Sequence, residues 1–118
     1  MACGPGAIDS HVRSEVYEAI KRAMESRKNI RATYDGFARE FSPHTLGAKG
    51  REERVLGYQF AGQSVIGLGP DGSAENWRCF FIEAFLACEV IDGRWHSAPP
   101  HSQPQTCIDE VDAEIVAG

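Results

Sequence analysis

The residues of this chain that could do chemistry are basic, amide and aromatic side chains concentrated between positions 34 and 78. Arginine and histidine donate hydrogen bonds to phosphate or carboxylate, and aromatic faces stack on nucleobases. Their alternating, strand-like surroundings favour a surface that binds an anion or a nucleotide. The residues are Tyr34, Arg39, His44, Arg54, Tyr58, Gln59, Trp77 and Arg78.

Side-chain direction limits which of these residues can share a pocket. Tyr58 and Gln59 are neighbours in a predicted strand, so they point to opposite faces, and Gln59 is expected to line the site. Arg78 could hold a ligand through two hydrogen bonds, whereas Trp77 either stacks on the ligand or packs in the core. His44 either donates to a ligand, with binding that weakens as the pH rises, or is satisfied by the backbone.

No pair of nucleophile and base stands out, so the sequence predicts a protein that is not an enzyme. Ser42 lies near His44, but no residue pattern orients a base or builds an oxyanion hole. The glycines between positions 62 and 72 lack the lysine and the following helix of a phosphate-binding loop, so they predict turns. We therefore expect no cofactor.

The four cysteines, at positions 3, 79, 88 and 107, show no Cys-x-x-Cys spacing. His96 and His101 are the further ligands near Cys107, which is too few to predict a metal site. Cysteines in apolar runs behave as small hydrophobes, and the N-terminus lacks a basic leader and an apolar segment. A cytoplasmic protein with reduced thiols is expected, with disulfide bridges as the less favoured alternative.

The 118 residues carry a net charge of −5, which is unevenly distributed. Residues 10–58 hold ten Lys or Arg against seven Asp or Glu, and residues 59–118 hold two against nine. Affinity for nucleic acid grows with the number of phosphates neutralised, so this pattern excludes a broadly basic coat but allows a local basic pocket. The length and an apolar fraction of 42% indicate one folded domain, and no apolar run is long enough to span a membrane.

Residues 9–27 are predicted to form a helix after a disordered start at residues 1–8. Apolar residues recur at helical spacing on one side and charged residues occupy the other, so the helix should lie across a core with one side in water. Asp9 or Ser10 is suited to cap its start.

Alternating hydrophobicity predicts turn-linked strands after the helix. Asp35-Gly36 is typical of a tight hairpin turn between the first two strands, and Pro43 marks an edge, a bulge or a break in the second. The predicted strands cover residues 29–34, 37–48, 54–60 and 77–91, the last as one long or two broken strands, and a short strand begins at 94–96.

One helix followed by about five short strands predicts a mainly β, α+β domain at residues 9–98. A small, strongly bent antiparallel barrel at 29–97 would remove most exposed strand edges, and an open sheet is the alternative. Residues 99–118 form an acidic C-terminal segment, in which the spacing of apolar residues predicts a short helix at 107–117.

The order of several short motifs resembles the WYL domain over about residues 18–96, and the likeness is closest to compact stand-alone bacterial proteins of this kind. The motifs are Ile30-x-x-x-Tyr34, Arg39, Pro43-His44-x-Leu46-Gly47, Gly57-Tyr58-Gln59 and Trp77-Arg78-x-Phe80-x-Ile82-Glu83. The resemblance implies an SH3- or Sm-like five-stranded barrel that senses a ligand in transcription regulation. Carried over by position, the pocket of that family falls on Tyr34, Arg39, His44, Tyr58, Gln59, Ser64 and Arg78.

The chain departs from the WYL pattern at two places. The namesake Trp-Tyr-Leu run aligns with Glu53-Arg54-Val55, and Phe81 and Ala84 stand where the family has arginines. Fewer arginines predict weaker binding of long polyanions than the resemblance alone implies.

These observations predict a non-enzymatic module that binds a small anionic or nucleotide-like ligand, or a short single strand of nucleic acid. Regulation would require a partner, such as a DNA-binding protein, that responds to the bound ligand. No membrane partner is expected. The alternative is a structural or interaction module that self-associates or binds a protein without a ligand. Convergence of Arg39 and Arg78 in one concavity would favour the ligand-binding function.

Overall fold

The computed structural model describes residues 14–63, 67–98 and 106–115. In this part of the chain one helix precedes six strands, and single 3₁₀ turns at Ala74–Asn76 and Ile82–Ala84 flank the fourth strand. None of its helices has the length and apolar character needed to cross a membrane. The elements are α1 (Glu15–Glu25), β1 (Asn29–Tyr34), β2 (Phe37–Lys49), β3 (Glu52–Gly62), β4 (Trp77–Phe81), β5 (Leu86–Ile91) and β6 (Glu110–Glu114).

The six strands form one antiparallel sheet, with β4, β3, β2, β1 and β5 in that order and β6 added beside β2. β2 is central, because β3 pairs along one side of it while β1 and β6 share the other side. The outer strands β4 and β5 are not paired with each other in the described residues, so the sheet is not closed. A mainly β domain with an N-terminal helix is confirmed, whereas a closed five-stranded barrel is not.

Helix α1 begins where Ser14 supplies its N-cap. The Ser14 hydroxyl accepts a hydrogen bond from the Tyr17 N–H and donates one to the Glu53 carboxylate on β3, which also accepts from the Ser14 N–H. These contacts tie the helix to the sheet and satisfy N–H groups that every helix start leaves unpaired. The predicted helix is confirmed but begins later than expected, and the predicted caps Asp9 and Ser10 lie outside the described residues.

The apolar side of α1 packs on one face of the sheet, here called the core face. On this face the Phe41 ring stacks on Phe80 and Phe85, with centroid distances of 4.6 and 5.7 Å. Such aromatic pairs contribute about 0.5–1.5 kcal/mol beyond the burial of their surface. The buried residues of the helix are Val16, Tyr17, Ala19, Ile20, Ala23 and Met24.

Two local predictions are confirmed by the backbone. Asp35 and Gly36 have φ angles of +52° and +78°, which the two-residue turn between β1 and β2 requires. The pairing of β2 with β3 shifts register between Pro43 and Thr45. The proline, which has no N–H, thus falls between the part of β2 that pairs with β1 and the part that pairs with β6.

The C-terminal segment contains a strand, so the predicted helix at 107–117 is wrong. The Asp109 N–H donates to the Ala48 carbonyl at 3.0 Å, and the Ile115 N–H donates to the His44 carbonyl at 2.7 Å. A short isolated helix is marginal in water, whereas the part of β2 beyond β1 offers unpaired backbone groups. Tertiary pairing therefore overrides the helical spacing.

The predicted short strand at 94–96 is also wrong, because these residues form irregular backbone. The Asn29 side chain donates to the Arg94 carbonyl at 3.0 Å, and the His96 N–H donates to the Ser42 hydroxyl at 2.9 Å. This segment is therefore held by hydrogen bonds to side chains, whereas a strand would be held by backbone hydrogen bonds to its neighbour. It covers part of the sheet face opposite α1, here called the second face.

Cys79 and Cys107 form a disulfide with a Cα–Cα distance of 5.6 Å, and Cys88 is disulfide-bonded as well. The prediction of reduced thiols is wrong for these three residues. Sequence spacing could not reveal the first bridge, because its partners are 28 residues apart and meet only when the C-terminal segment docks on the sheet.

Candidate functional site

The predicted site residues are divided between the two faces of the sheet. A Cβ atom at Gly57 would lie 2.4 Å from the Phe41 ring, so Gly57 and, by alternation, Gln59 face the core. Arg78 on β4 pairs with Gly57 and shares that face. Tyr58 points to the second face, so the predicted separation of Tyr58 from Gln59 matches the alternation of β3.

Arg39 is buried, with 4% of its surface exposed. Its Nη1 donates to Gln59 Oε1 and its Nη2 donates to the Tyr34 carbonyl, each at 3.3 Å. Its Cζ lies 5.3 Å from the Tyr34 ring centroid and 5.8 Å from that of Phe37, within the range of cation–π attraction. Burial lowers the pKa of Arg39, and the negative charge of Asp35 opposes this effect.

Gln59 is fully buried and orients its amide toward Arg39. Its Nε2 donates to the carbonyls of Ala61 and Gln63 at 3.2 and 3.1 Å. Because both amide hydrogens are directed at the backbone, the oxygen is left to accept from the guanidinium. We call Arg39, Gln59 and Arg78 the arginine site.

Arg78 is half-buried and donates to backbone carbonyls. Its Nη2 donates to Gly67 at 2.8 Å, and its Nη1 donates to Trp77 at 3.1 Å and also to Glu75. Burial lowers the pKa of Arg78, the positive charge of Arg39 lowers it further, and Glu75 opposes both effects. The two predicted arginines lie on the same face of the sheet, and their positive charges disfavour each other.

Neither Arg39 nor Arg78 forms an ion pair with a carboxylate in the described part of the chain. Arg31, by contrast, lies 2.8 Å from Glu89. The Nε atoms of Arg39 and Arg78 are buried without a hydrogen-bond partner among the described residues. A cation removed from water without an ion-paired partner lowers stability. Asp35 and Glu75 offset the charges of the arginine site without forming ion pairs with it, so an anion bound there could neutralise positive charge further.

Three other predicted site residues lie together on the second face: His44, Tyr58 and Trp77. His44 Nε2 donates to the His96 carbonyl at 2.8 Å, and its ring centroid lies 4.8 Å from that of Trp77. Trp77 in turn lies 5.2 Å from Tyr58, whose hydroxyl donates to the Ser73 carbonyl at 2.9 Å. His44 thus has the geometry of the backbone-satisfied histidine, and these three residues do not join the arginine site.

The burial of His44 leads to a prediction about pH. Burial lowers the pKa of His44, the Arg27 charge adds to this, and the hydrogen bond to His96 opposes it. The stabilising contribution of a neutral His44 is therefore fully present above the unfolded pKa of 6.5 and is lost as the pH falls below it through the folded pKa. In urea unfolding from about pH 7.5 to about 5.5, wild type should lose more stability than His44→Gln, whose amide can still donate to the carbonyl. Equal losses would contradict this assignment.

Tyr34 contacts the arginine site through its ring and its carbonyl, while the other side of the ring packs in the core, 5.0 Å from Phe80. Arg54 forms an ion pair with Glu52 at 2.7 Å and is not part of the arginine site. The predicted Ser64 lies outside the described residues.

Sequence reasoning missed the loop at 67–76, whose Gly67 carbonyl accepts from Arg78. Asn76 fixes this loop, because its side chain accepts from the Gly69 N–H at 2.8 Å and donates to the Gly69 carbonyl at 3.0 Å. An asparagine beside several glycines is a sequence signal for such a loop, since its amide can satisfy backbone groups that turns leave unpaired.

No protein-family model matches the chain, and no curated protein or solved structure matches it either. The WYL resemblance therefore stays a prediction. Within residues 14–63, 67–98 and 106–115, no group of three or more His, Cys, Asp or Glu side chains is arranged to hold a metal ion.

Proposed function

We propose that this protein is a non-enzymatic binding module for a small anionic or nucleotide-like ligand, which it holds at the arginine site. The observation that carries the proposal is that two guanidinium groups, those of Arg39 and Arg78, lie on the same face of the sheet, and neither forms an ion pair with a carboxylate among the described residues. An anion bound beside Arg78 would offset the repulsion between the two charges and would gain a charge-assisted hydrogen bond. Arginine is suited to this because its planar fork matches phosphate and carboxylate.

Exposure gives the two arginines different roles in this function. Arg78 is half-buried and bonds to carbonyls, which an incoming anion can replace as acceptors. Arg39 is almost fully buried and is fixed in place by Gln59 and the aromatic rings of Tyr34 and Phe37. We therefore assign first contact with the ligand to Arg78 and long-range attraction and orientation to Arg39. Rings beside a guanidinium also suit a ligand with a nucleobase.

The WYL resemblance supports the same proposal from the sequence side. It implies a ligand-sensing module on an SH3- or Sm-like sheet, and we propose this chain as an open version of that architecture. Regulation would require a partner protein, such as one that binds DNA, to respond to the bound ligand. Because Phe81 and Ala84 stand where the WYL family has arginines, we propose a mononucleotide or a small anion as the ligand in preference to a long polyanion.

The proposal is tested by thermal unfolding of the purified protein with inorganic phosphate, mono-, di- and cyclic nucleotides and short single-stranded oligonucleotides. A ligand that binds only the folded state stabilises it by about 2.7 kcal/mol at a hundred times its dissociation constant. Wild type should show a concentration-dependent rise in Tm that shrinks at high salt, because salt screens the arginine charges.

The matched variants are Arg78→Gln and Arg51→Gln, which remove the same charge. Arg51 is exposed in the turn between β2 and β3. Arg78→Gln should lose the ligand-induced rise in Tm while Arg51→Gln keeps it. An equal response of the two variants would show that a ligand binds elsewhere, and no response of wild type to any compound would refute ligand binding of this class.

A second candidate function is a protein-interaction module. Leu86 on β5 and Val111 on β6 are large apolar residues that are 67% and 48% exposed. Exposed apolar residues on outer strands are typical of surfaces that pair with another chain. Sedimentation of wild type and Leu86→Ser would test this, since self-association that the serine variant loses would favour it over ligand binding.

A further inference from the structure

The C-terminal segment is attached to the sheet in two ways. Residues 106–115, here called the strap, carry β6, which pairs with Thr45–Ala48 of β2. The strap is also joined to β4 by the disulfide between Cys107 and Cys79. On either side of β6, the N–H groups of Asp109 and Ile115 donate to the β2 carbonyls of Ala48 and His44. A covalent bond and a short ladder thus hold the same ten residues.

The strap packs closely against β2. A Cβ atom at Gly47 would lie 2.0 Å from the Glu110 carbonyl oxygen and 2.8 Å from Ile108 Cγ2, so the backbone of the strap approaches where only glycine fits. Ile108 and Cys107 are buried there. The Lys49 ammonium donates to the Thr106 carbonyl at 3.0 Å. These contacts specify where the strap lies.

The backbone ladder of this attachment is nevertheless short and its sequence is acidic. Five residues make a short strand, and acidic residues are disfavoured in strands because they do not pack well on a pleated surface. Asp112 accepts a hydrogen bond from the Tyr17 hydroxyl at 2.7 Å and forms an ion pair with Lys21 at 3.1 Å. The ion pair contributes little, because both of its side chains are partly exposed. Closely spaced carboxylates of like charge repel. The acidic residues of the strap are Asp109, Glu110, Asp112 and Glu114.

We propose that the strap is a redox-controlled cover of the β2 edge, closed by the Cys79–Cys107 disulfide and opened by a thiol reductant. In the oxidised protein the disulfide keeps the strap at a high effective concentration beside the β2 edge. In the reduced protein the short acidic strand leaves and uncovers the backbone groups of Thr45–Ala48. This device is separate from the arginine site and does not depend on the proposed ligand.

The chemistry of opening requires a dithiol. Cys79 is exposed and Cys107 is buried, so a reductant thiolate attacks the Cys79 sulfur and the Cys107 sulfur leaves as a thiolate. The second thiol of the reductant then releases Cys79 from the mixed disulfide. Two electrons pass from the dithiol, which becomes a cyclic disulfide, to the bridge, which becomes two thiols. Disulfides that are exposed on one side are typical of regulatory bridges.

The test is amide hydrogen exchange of the full chain, wild type against Cys79→Ala/Cys107→Ala. The double variant removes this bridge without a reductant, which would also reduce the disulfide of Cys88. Exchange of the Asp109 and Ile115 amides should be faster by about 100-fold in the variant, since loss of a bridge over a long loop typically has such an effect on local opening. Amides of β1 and of the first half of β2 should keep their protection.

Wild type with dithiothreitol should reproduce the fast exchange, and removal of the reductant with reoxidation should restore slow exchange. Cys88→Ala is the matched control, because Cys88 is also a buried, bridged cysteine, and it should leave the strap amides protected. Unchanged protection of Asp109 and Ile115 in the double variant would overturn the proposal. A uniform increase across all strands would also overturn it, because the bridge would then stabilise the whole domain and not a cover.

Discussion

Replacing Phe41 by alanine is expected to lower the free energy of unfolding by about 3–5 kcal/mol, the largest loss for any single side chain of the core. Phe41 is fully buried on the central strand and stacks on both Phe80 and Phe85. Its ring also fills the space above Gly57, where no side chain is present to relax into a cavity. Urea unfolding followed by circular dichroism measures the change.

Phe81→Ala is the control for this prediction. Phe81 lies at the end of β4, is half-buried and contacts the Arg54 guanidinium, 4.3 Å from its ring centroid. Phe81→Ala should therefore lower the free energy of unfolding by about 1 kcal/mol. Because domains of this size have net stabilities of about 5–15 kcal/mol, Phe41→Ala should be partly unfolded at moderate temperature while Phe81→Ala stays folded. Similar midpoints for the two variants would show that the aromatic cluster does not form the core.

Gly62→Ala should be destabilised by about 3–4 kcal/mol, because two unfavourable effects coincide at this residue. Gly62 has a φ of +89°, and a Cβ atom would lie 2.1 Å from the Ala38 carbonyl oxygen. That carbonyl also accepts from the Gln63 N–H at 2.9 Å, so the backbone there cannot retreat without losing a hydrogen bond. Gly62 pairs with Arg39, and the damage should extend to the arginine site.

Gly72→Ala separates these two effects. Gly72 has a φ of +93°, but a Cβ atom there would meet nothing within 4 Å. This variant should therefore lose only the conformational part, about 1–2 kcal/mol. Urea midpoints of both variants, together with the Tm response to the best ligand, measure the difference. If Gly72→Ala were as unstable as Gly62→Ala, the φ angle alone would explain the effect and the steric contact would be unimportant.

Local chemistry was sufficient to predict several features of the fold. The helix follows from apolar residues at helical spacing, and the first hairpin follows from Asp35-Gly36, whose side chains tolerate positive φ. The break near Pro43 follows from the missing N–H of proline. The opposite directions of Tyr58 and Gln59 follow from the two-residue repeat of a strand. Each of these depends on a few neighbouring residues.

The candidate site was predicted only in part, because its geometry also depends on residues that are distant in the sequence. Residue types and strand spacing identified Arg39, Gln59 and Arg78, because basic and amide groups in a strand are unusual. They could not place His44 on the other face, since that depends on the irregular pairing of β2 with β3. Nor could they show that Arg39 would be buried, because burial depends on the rings around it.

The helix, the turns and the side-chain directions within each strand could be predicted from the sequence, because these depend on contacts between near neighbours in the chain. Three features appear only in the folded chain: the C-terminal segment is a strand, Cys79 pairs with Cys107, and Arg39 and Arg78 lie on the same face of the sheet. The physical reason is that these features depend on which distant segments compete for the free side of β2 and for the core face. That competition is settled by burial and backbone pairing, which no local pattern contains.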